Sequence, residues 1–125
     1  MYKAIVLLKR RAHISSDDFE SWFLGEHARH AAEVGGERLL KYTGSFVVAP
    51  GPRSPWPNNE PAVDVVSEFW CTDRATVEAT YADLAGARGE VNNVLGMVSW
   101  REAFVAEEID LLADLRHRPR RLRSD

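Results

Sequence analysis

The sequence predicts an α+β fold in which four strands and two helices follow one another in the order βαββαβ. Three observations lead to this prediction. Short apolar runs with β-branched residues recur at four places, a capped amphipathic segment follows the first run, and a proline-rich stretch separates the second run from the third. The length of 125 residues suits one domain with one core.

The first strand and the first helix have the clearest boundaries. Residues 2–9 are apolar with β-branched members, and the run is short enough for a strand that is covered on both faces. Ser15 is a typical helix N-cap, and two aspartates follow it where negative charge favours the first turn. Gly35 and Gly36 can supply the left-handed backbone of a helix end. The segment between these signals is predicted to be helical.

The middle of the chain is predicted to form two strands joined by a long loop. Residues 38–48 alternate well enough to form the second strand. Residues 49–62 hold five of the six prolines, and proline cannot pair in the interior of a sheet, so they are predicted to form a loop. Residues 64–71 are predicted to form the third strand.

The last helix and strand follow. Asp73 is the expected N-cap of the second helix, which is predicted to break near Gly86 and Gly89 and to resume over 90–97. Residues 98–105 are predicted to form the fourth strand.

Two helices on one face of a four-stranded antiparallel sheet define a ferredoxin-like fold. Leucine, valine and phenylalanine occupy both alternating sets of positions in the first, second and fourth predicted strands. Both faces of the sheet are therefore expected to be buried. Packing the second face on the same face of another copy, with two-fold symmetry, achieves this, so we expect a homodimer.

Charge is unevenly distributed. Residues 116–125 carry a charge of +4, and because the whole chain carries −3, residues 1–115 carry −7. A segment with this much negative charge is a poor nucleic-acid binder. We assign residues 1–110 to the domain and 111–125 to an arginine-rich tail that is expected to be solvated. No apolar run approaches the roughly 20 residues that cross a bilayer. One cysteine, Cys71, and no recognisable export signal favour a cytoplasmic location.

Three segments have a distinctive pattern: Phe-x-x-Trp-Phe-x-x-x-His over residues 19–27, LLKY over residues 39–42 and DVVSEFW over residues 64–70. The first is similar to the helix signature, and the other two to further segments, of the EthD family of dimeric α/β-barrel proteins. The resemblance covers about residues 3–107 and implies a ferredoxin-like dimeric α/β barrel. The family and its structural relatives include lactone isomerases, polyketide cyclases and dehydratases, cofactor-free monooxygenases and haem-processing enzymes.

Two histidines of the first helix are the leading catalytic candidates. At about 100° per residue, His30 falls near the centre of the apolar stripe and His27 falls at its edge. An imidazole titrates near neutrality, so one beside an apolar wall can exchange protons with a bound molecule. The resemblance favours His27 as acid/base or oxyanion donor. For His30, a core histidine and a catalytic partner remain equally open.

Glu68 is the third catalytic candidate. An interior carboxylate is costly unless it is paired or protonated, and a raised pKa would suit a proton shuttle. The alternative is an ion pair, for which Arg101 is the obvious partner. Several aromatic side chains are candidates for lining a pocket that takes a flat apolar ligand: Trp22, Phe23, Tyr42, Trp70 and Trp100.

The expected function is acid/base proton transfer on an apolar cyclic or aromatic metabolite, without an organic cofactor or metal. Isomerisation, cyclisation, dehydration and lactone rearrangement all fit, and a cofactor-free monooxygenase of hydroxyaromatic substrates is the near alternative. Haem binding through a helix histidine is a second class, and a non-catalytic ligand-binding or partner protein is a third.

Overall fold

The structure, a computed structural model, describes residues 1–86 and 94–117. In chain order its elements are β1 (Tyr2–Arg10), α1 (Ser16–Trp22), a π-helical turn (Phe23–His27), α2 (Ala28–Gly35), β2 (Lys41–Phe46), β3 (Val65–Cys71), α3 (Arg74–Ala85), α4 (Val94–Met97), β4 (Val98–Glu107) and α5 (Leu111–His117), with short 3₁₀ turns at Gly36–Arg38 and Pro57–Asn59.

The four strands form one antiparallel sheet in the order β2-β3-β1-β4, which confirms the predicted ferredoxin-like fold. Both predicted N-caps are formed. Ser15 Oγ accepts a hydrogen bond from the Asp18 amide at 3.1 Å, and Asp73 Oδ1 accepts one from the Thr76 amide at 2.8 Å. Gly36 ends the first helical segment with a φ of +55°, a conformation that favours glycine.

Some predicted boundaries shift. β2 is shorter than residues 38–48, because a 3₁₀ turn occupies 36–38, and β4 extends past residue 105 to Glu107. The segment assigned to a tail begins with the helix α5, while residues 118–125 and the predicted break at Gly89 lie outside the described residues. Among the described helices, none is long and apolar enough to cross a membrane.

The alternation of side chains assigns each strand residue to one of two faces. On β3, Val65, Ser67, Phe69 and Cys71 are buried beneath the helices. Glu68 and Trp70 therefore lie on the opposite face, which we call the open face. The sequence alone left this choice undecided. Cys71 and Trp70 lie on opposite faces.

The helix-facing side of the sheet carries two core clusters. The first, at one end of the layer, contains Leu8, Phe19, Trp22, Phe23, Val65, Val94, Met97 and Val98. The second, at the other end, contains Ala4, Phe69, Cys71 and Val77. Val6 is partly buried and packs against both clusters, so it marks the junction between them.

Candidate functional site

The first helical segment contains a π-helical turn over Phe23–His27, in which the Ala28 N–H donates to the Phe23 carbonyl five residues back. Such a turn holds one residue more than an α-helical turn. Each later residue of the segment is therefore rotated about the helix axis by about 100° from the position that it would have in a regular helix. π-Turns of this kind occur frequently at functional sites.

This rotation changes which residues face the sheet. Ala31 and Gly35 are buried after the turn, whereas His30 and Val34 are only half-buried. His27, which a regular helix would place at the edge of the apolar stripe, moves toward its centre. His30 moves in the opposite direction, toward the edge.

Aromatic side chains hold the His27 ring in place. Its centroid lies 4.9 Å from that of Trp22 and 5.0 Å from that of Phe23. Phe23 is itself packed edge-on against Phe46 at 5.5 Å. It also lies against Gly44 of β2, where a Cβ would come within 2.8 Å of the Phe23 ring. Glycine at position 44 is therefore what lets Phe23 approach the sheet and support His27.

A pocket opens between the helices and the sheet where the two core clusters meet, with a cavity volume of about 50 Å³. This exceeds the space needed for a single water molecule. Its walls are mainly apolar and include Val6, Leu8, Ala31, Phe69, Leu84 and Val94. The cavity exists because small residues, Ala31 of α2 and Ser67 of β3, stand where larger side chains would fill the layer.

Five polar side chains reach this apolar pocket, and they come from five different elements: His27, Tyr42, Ser67, Tyr81 and Arg101. Their convergence on an apolar cavity is typical of a small-molecule site.

The Tyr42 hydroxyl is buried and has no hydrogen bond of normal geometry among the described residues. Burial raises the pKa of this phenol, an effect that the nearby Ser67 hydroxyl partly offsets. Ser67 Oγ itself lies 3.4 Å from the Thr43 carbonyl oxygen, to which it donates. Tyr42 therefore remains a neutral hydrogen-bond donor that is available to a ligand.

The structure separates the residues predicted for the site. His27 and Tyr42 line the pocket. Trp22 and Phe23 belong to the first core cluster and support His27 rather than line the cavity. His30 does not line the pocket, and its Nε2 is buried without a hydrogen-bond partner within residues 1–86 and 94–117.

Glu68, Trp70 and Trp100 lie on the open face, away from the pocket. Glu68 accepts a hydrogen bond from Lys3 Nζ at 2.6 Å, so its ion-pair partner is Lys3 and not the expected Arg101. This hydrogen bond is the main reason why the pKa of Lys3 is raised.

The Trp70 ring on the same face packs against two ammonium groups, with Lys3 Nζ 5.0 Å and Lys41 Nζ 4.7 Å from its centroid. Its indole N–H donates to Glu108 at 3.0 Å. Glu68 and Trp70 thus take part in a polar network on the open face.

Three polar pocket residues, Ser67, Tyr81 and Arg101, were not among the leading sequence candidates. Ser67 would have been found from the face of β3, but both faces of that strand are apolar enough to hide the choice. Tyr81 and Arg101 enter the site only through the packing of α3 and β4. In the described part of the chain, no group of three His, Cys, Asp or Glu side chains could hold a metal ion.

Cys71 is fully buried, and desolvation raises the pKa of its thiol. A thiol in such surroundings is unreactive, so Cys71 serves as a small core residue.

Comparison with solved structures shows that the ferredoxin-like fold of this chain is similar to that of EthD family proteins. An EthD family protein from Bacillus halodurans superposes with a TM-score of 0.66 at 16% identity, over 87% of this chain and 99% of that one. An EthD-like protein from Ralstonia eutropha gives 0.61 at 15% identity, over 85% and 89% of the two chains. The resemblance to EthD proteins seen in the sequence is thus confirmed at the level of the fold.

A third similar structure is a dimeric protein of unknown function and ferredoxin-like fold from Bacteroides fragilis. It has a TM-score of 0.52 at 17% identity and covers 86% of this chain and 95% of that one. No protein-family model matches the chain, and no curated protein matches its sequence.

Proposed function

We propose that this protein is a cofactor-independent enzyme that moves protons on an apolar cyclic or aromatic metabolite, with His27 as the acid/base. The observation that carries the proposal is the position of His27 at the wall of an otherwise mainly apolar pocket. In such surroundings a single imidazole can exchange protons with a bound carbon acid while water is largely excluded.

The proposed chemistry needs one base and one oxyanion donor. Neutral His27 removes a proton from a carbon beside a carbonyl, and the electron pair moves onto the carbonyl oxygen. The Tyr42 hydroxyl, buried and lacking a protein partner among the described residues, donates a hydrogen bond to that oxyanion. The His27 imidazolium then returns the proton to a different atom of the same substrate. Isomerisation, cyclisation and dehydration share this first step.

The experiment is deuterium incorporation from D₂O into a panel of lactones and hydroxyaromatics, followed by NMR. The wild-type protein is expected to accelerate exchange of an acidic C–H, and His27→Ala to slow it by about 10²–10⁴-fold, the usual contribution of a general base. His30→Ala is the matched control, since this residue lies on the same helical segment but outside the pocket. It should keep activity close to the wild-type value.

Four results would contradict the proposal. The first is wild-type exchange that survives in His27→Ala. The second is consumption of O₂ in step with substrate loss, which would indicate the monooxygenase alternative. The third is a Soret band on addition of hemin that disappears in His27→Ala, which would indicate haem binding. The fourth is binding of the panel without any turnover, which would favour a non-catalytic ligand-binding protein.

We also propose that the protein forms a homodimer through the open face of the sheet. Trp100 and Phe104 of β4 are 45% and 46% exposed on that face, beside the half-buried Ile5 and Leu7 of β1. The dimeric protein of similar fold supports this arrangement. Sedimentation velocity should show a dimer that Phe104→Glu converts to a folded monomer. A monomeric wild-type protein at high concentration would overturn it.

A further inference from the structure

Arg101 of β4 brings a positive charge to the pocket. It pairs with Leu8 of β1 in the antiparallel register, so its side chain projects from the helix-facing side of the sheet. β4 is an edge strand, and Arg101 is exposed to solvent while also lining the pocket. Arg101 therefore stands at the mouth of the cavity, not in its interior.

No acidic side chain balances this charge in the part of the chain that the structure describes. Three arginines elsewhere are neutralised: Arg10 pairs with Asp64 at 3.3 Å, Arg38 with Asp83 at 2.9 Å and Arg74 with Glu78 at 2.7 Å. Arg101 has no such ion pair or hydrogen bond within those residues, and none of the described residues that line the pocket carries a carboxylate. An unpaired cation at the rim of an apolar cavity is a ready site for an anion.

Resting on the function proposed above for this pocket, we propose that the substrate is a small cyclic or aromatic carboxylic acid whose carboxylate binds Arg101. The planar guanidinium matches a carboxylate with two parallel hydrogen bonds. At the mouth the carboxylate keeps part of its hydration, which avoids the cost of burying a charge. The ring then lies partly within the apolar cavity, on the side that His27 and Tyr42 line.

This arrangement also gives the substrate a direction. A carboxylate fixed at Arg101 admits the ring into the pocket in one orientation only, and thereby selects which carbon faces His27. A neutral analogue of equal shape would fill the same cavity but would lack this anchor. The inference therefore predicts discrimination by charge and not by size.

The test compares a small aromatic carboxylate with its primary amide, which has nearly the same shape and no charge. Binding is followed by isothermal titration calorimetry on the full chain. The wild-type protein should bind the carboxylate about 10–100-fold more tightly, the range expected for a hydrogen-bonded charge pair. Arg101→Met should remove this preference and leave the affinity for the amide unchanged, while Arg101→Lys should retain part of it.

Arg29→Met is the matched control because Arg29 is exposed on α2, does not line the pocket and carries the same charge. It should keep the full carboxylate preference. Equal wild-type affinity for acid and amide, or a preference that persists in Arg101→Met, would overturn the inference.

The outcomes separate this inference from the proposed function. A carboxylate preference that depends on Arg101, in a protein whose His27→Ala variant shows no catalytic defect, would support the anion site and defeat the catalytic proposal. A catalytic defect in His27→Ala, without any effect of Arg101 on the choice between acid and amide, would do the reverse.

Discussion

The layer between the helices and the sheet is packed differently in two regions, one around α1 and one beside α2. Around α1 the first core cluster is packed with large aromatic side chains: Phe19 and Trp22 lie 5.5 Å apart, centroid to centroid, and both are buried in the cluster that contains Val65. Beside α2 the layer is hollow, because Ala31 faces Ser67 across the pocket. Both parts belong to one helical segment on one sheet, so side-chain size and not topology makes the difference.

The π-helical turn lies between the two parts. Before it, large aromatic residues point at the sheet, and after it the small residues Ala31 and Gly35 do so. His27 stands at the boundary, with two aromatic rings behind it and the cavity beside it. The comparison shows that a well-packed region can supply a rigid support for a pocket side chain while the adjoining region leaves an open cavity.

The largest effect on stability is expected in the filled part. Phe19→Ala should lower the free energy of unfolding by about 3–5 kcal/mol, because it leaves a cavity among side chains that are already closely packed. Urea unfolding followed by circular dichroism measures this change. A loss below about 1 kcal/mol would mean that the region around α1 is not the main support of the fold.

The second prediction compares two buried alanines. Ala4→Leu adds volume to the second core cluster away from the pocket, and should cost about 1–3 kcal/mol through overpacking. Ala31→Leu adds the same volume beside an existing cavity, and should change stability by less than about 1 kcal/mol.

The two substitutions should affect ligand binding in the opposite order from their effects on stability. Ala31→Leu is expected to abolish binding of the aromatic probe, whereas folded Ala4→Leu should still bind it. Calorimetric titration and urea unfolding of the same two preparations provide both readouts. Equal destabilisation by the two substitutions would indicate that the space beside Ala31 is not a true cavity.

The smallest effect concerns Tyr42. Burial raises the pKa of its phenol, so the folded protein holds this proton more tightly than the unfolded chain does. The resulting stability is fully present below about pH 10, the ordinary tyrosine value, and is lost as the pH rises toward the folded-state pKa. Tyr42→Phe should therefore match the wild type within about 1 kcal/mol near neutrality.

Above about pH 10 the two proteins should diverge, with the wild type losing up to roughly 1.4 kcal/mol more per pH unit. Urea unfolding between neutral and alkaline pH tests this difference, and comparison with the variant removes the contribution of the other tyrosines. Parallel pH profiles would show that Tyr42 titrates as freely in the folded protein as in the unfolded one.

The elements of the fold were predictable because their signals are local. The caps at Ser15 and Asp73 and the proline-rich stretch at 49–62 all act within a few residues, and the structure confirms them. The site was predictable only in part. His27 and Tyr42 were found, but the π-helical turn that brings His27 to the pocket was not. Gly25, a poor helix former within that turn, was the one local signal for it.

By itself the sequence determined the order of the elements and the ends of the first helical segment, and two of its site candidates, His27 and Tyr42, line the pocket. Only the tertiary structure decided which face of β3 meets the helices, and with it the exclusion of Glu68 and Trp70 from the pocket. The physical reason is that caps and periodicity depend on neighbours in the chain. The face on which a side chain lies, and the place where a cavity forms, depend instead on residues that are far apart in sequence. One extra residue in a helical turn is enough to change both.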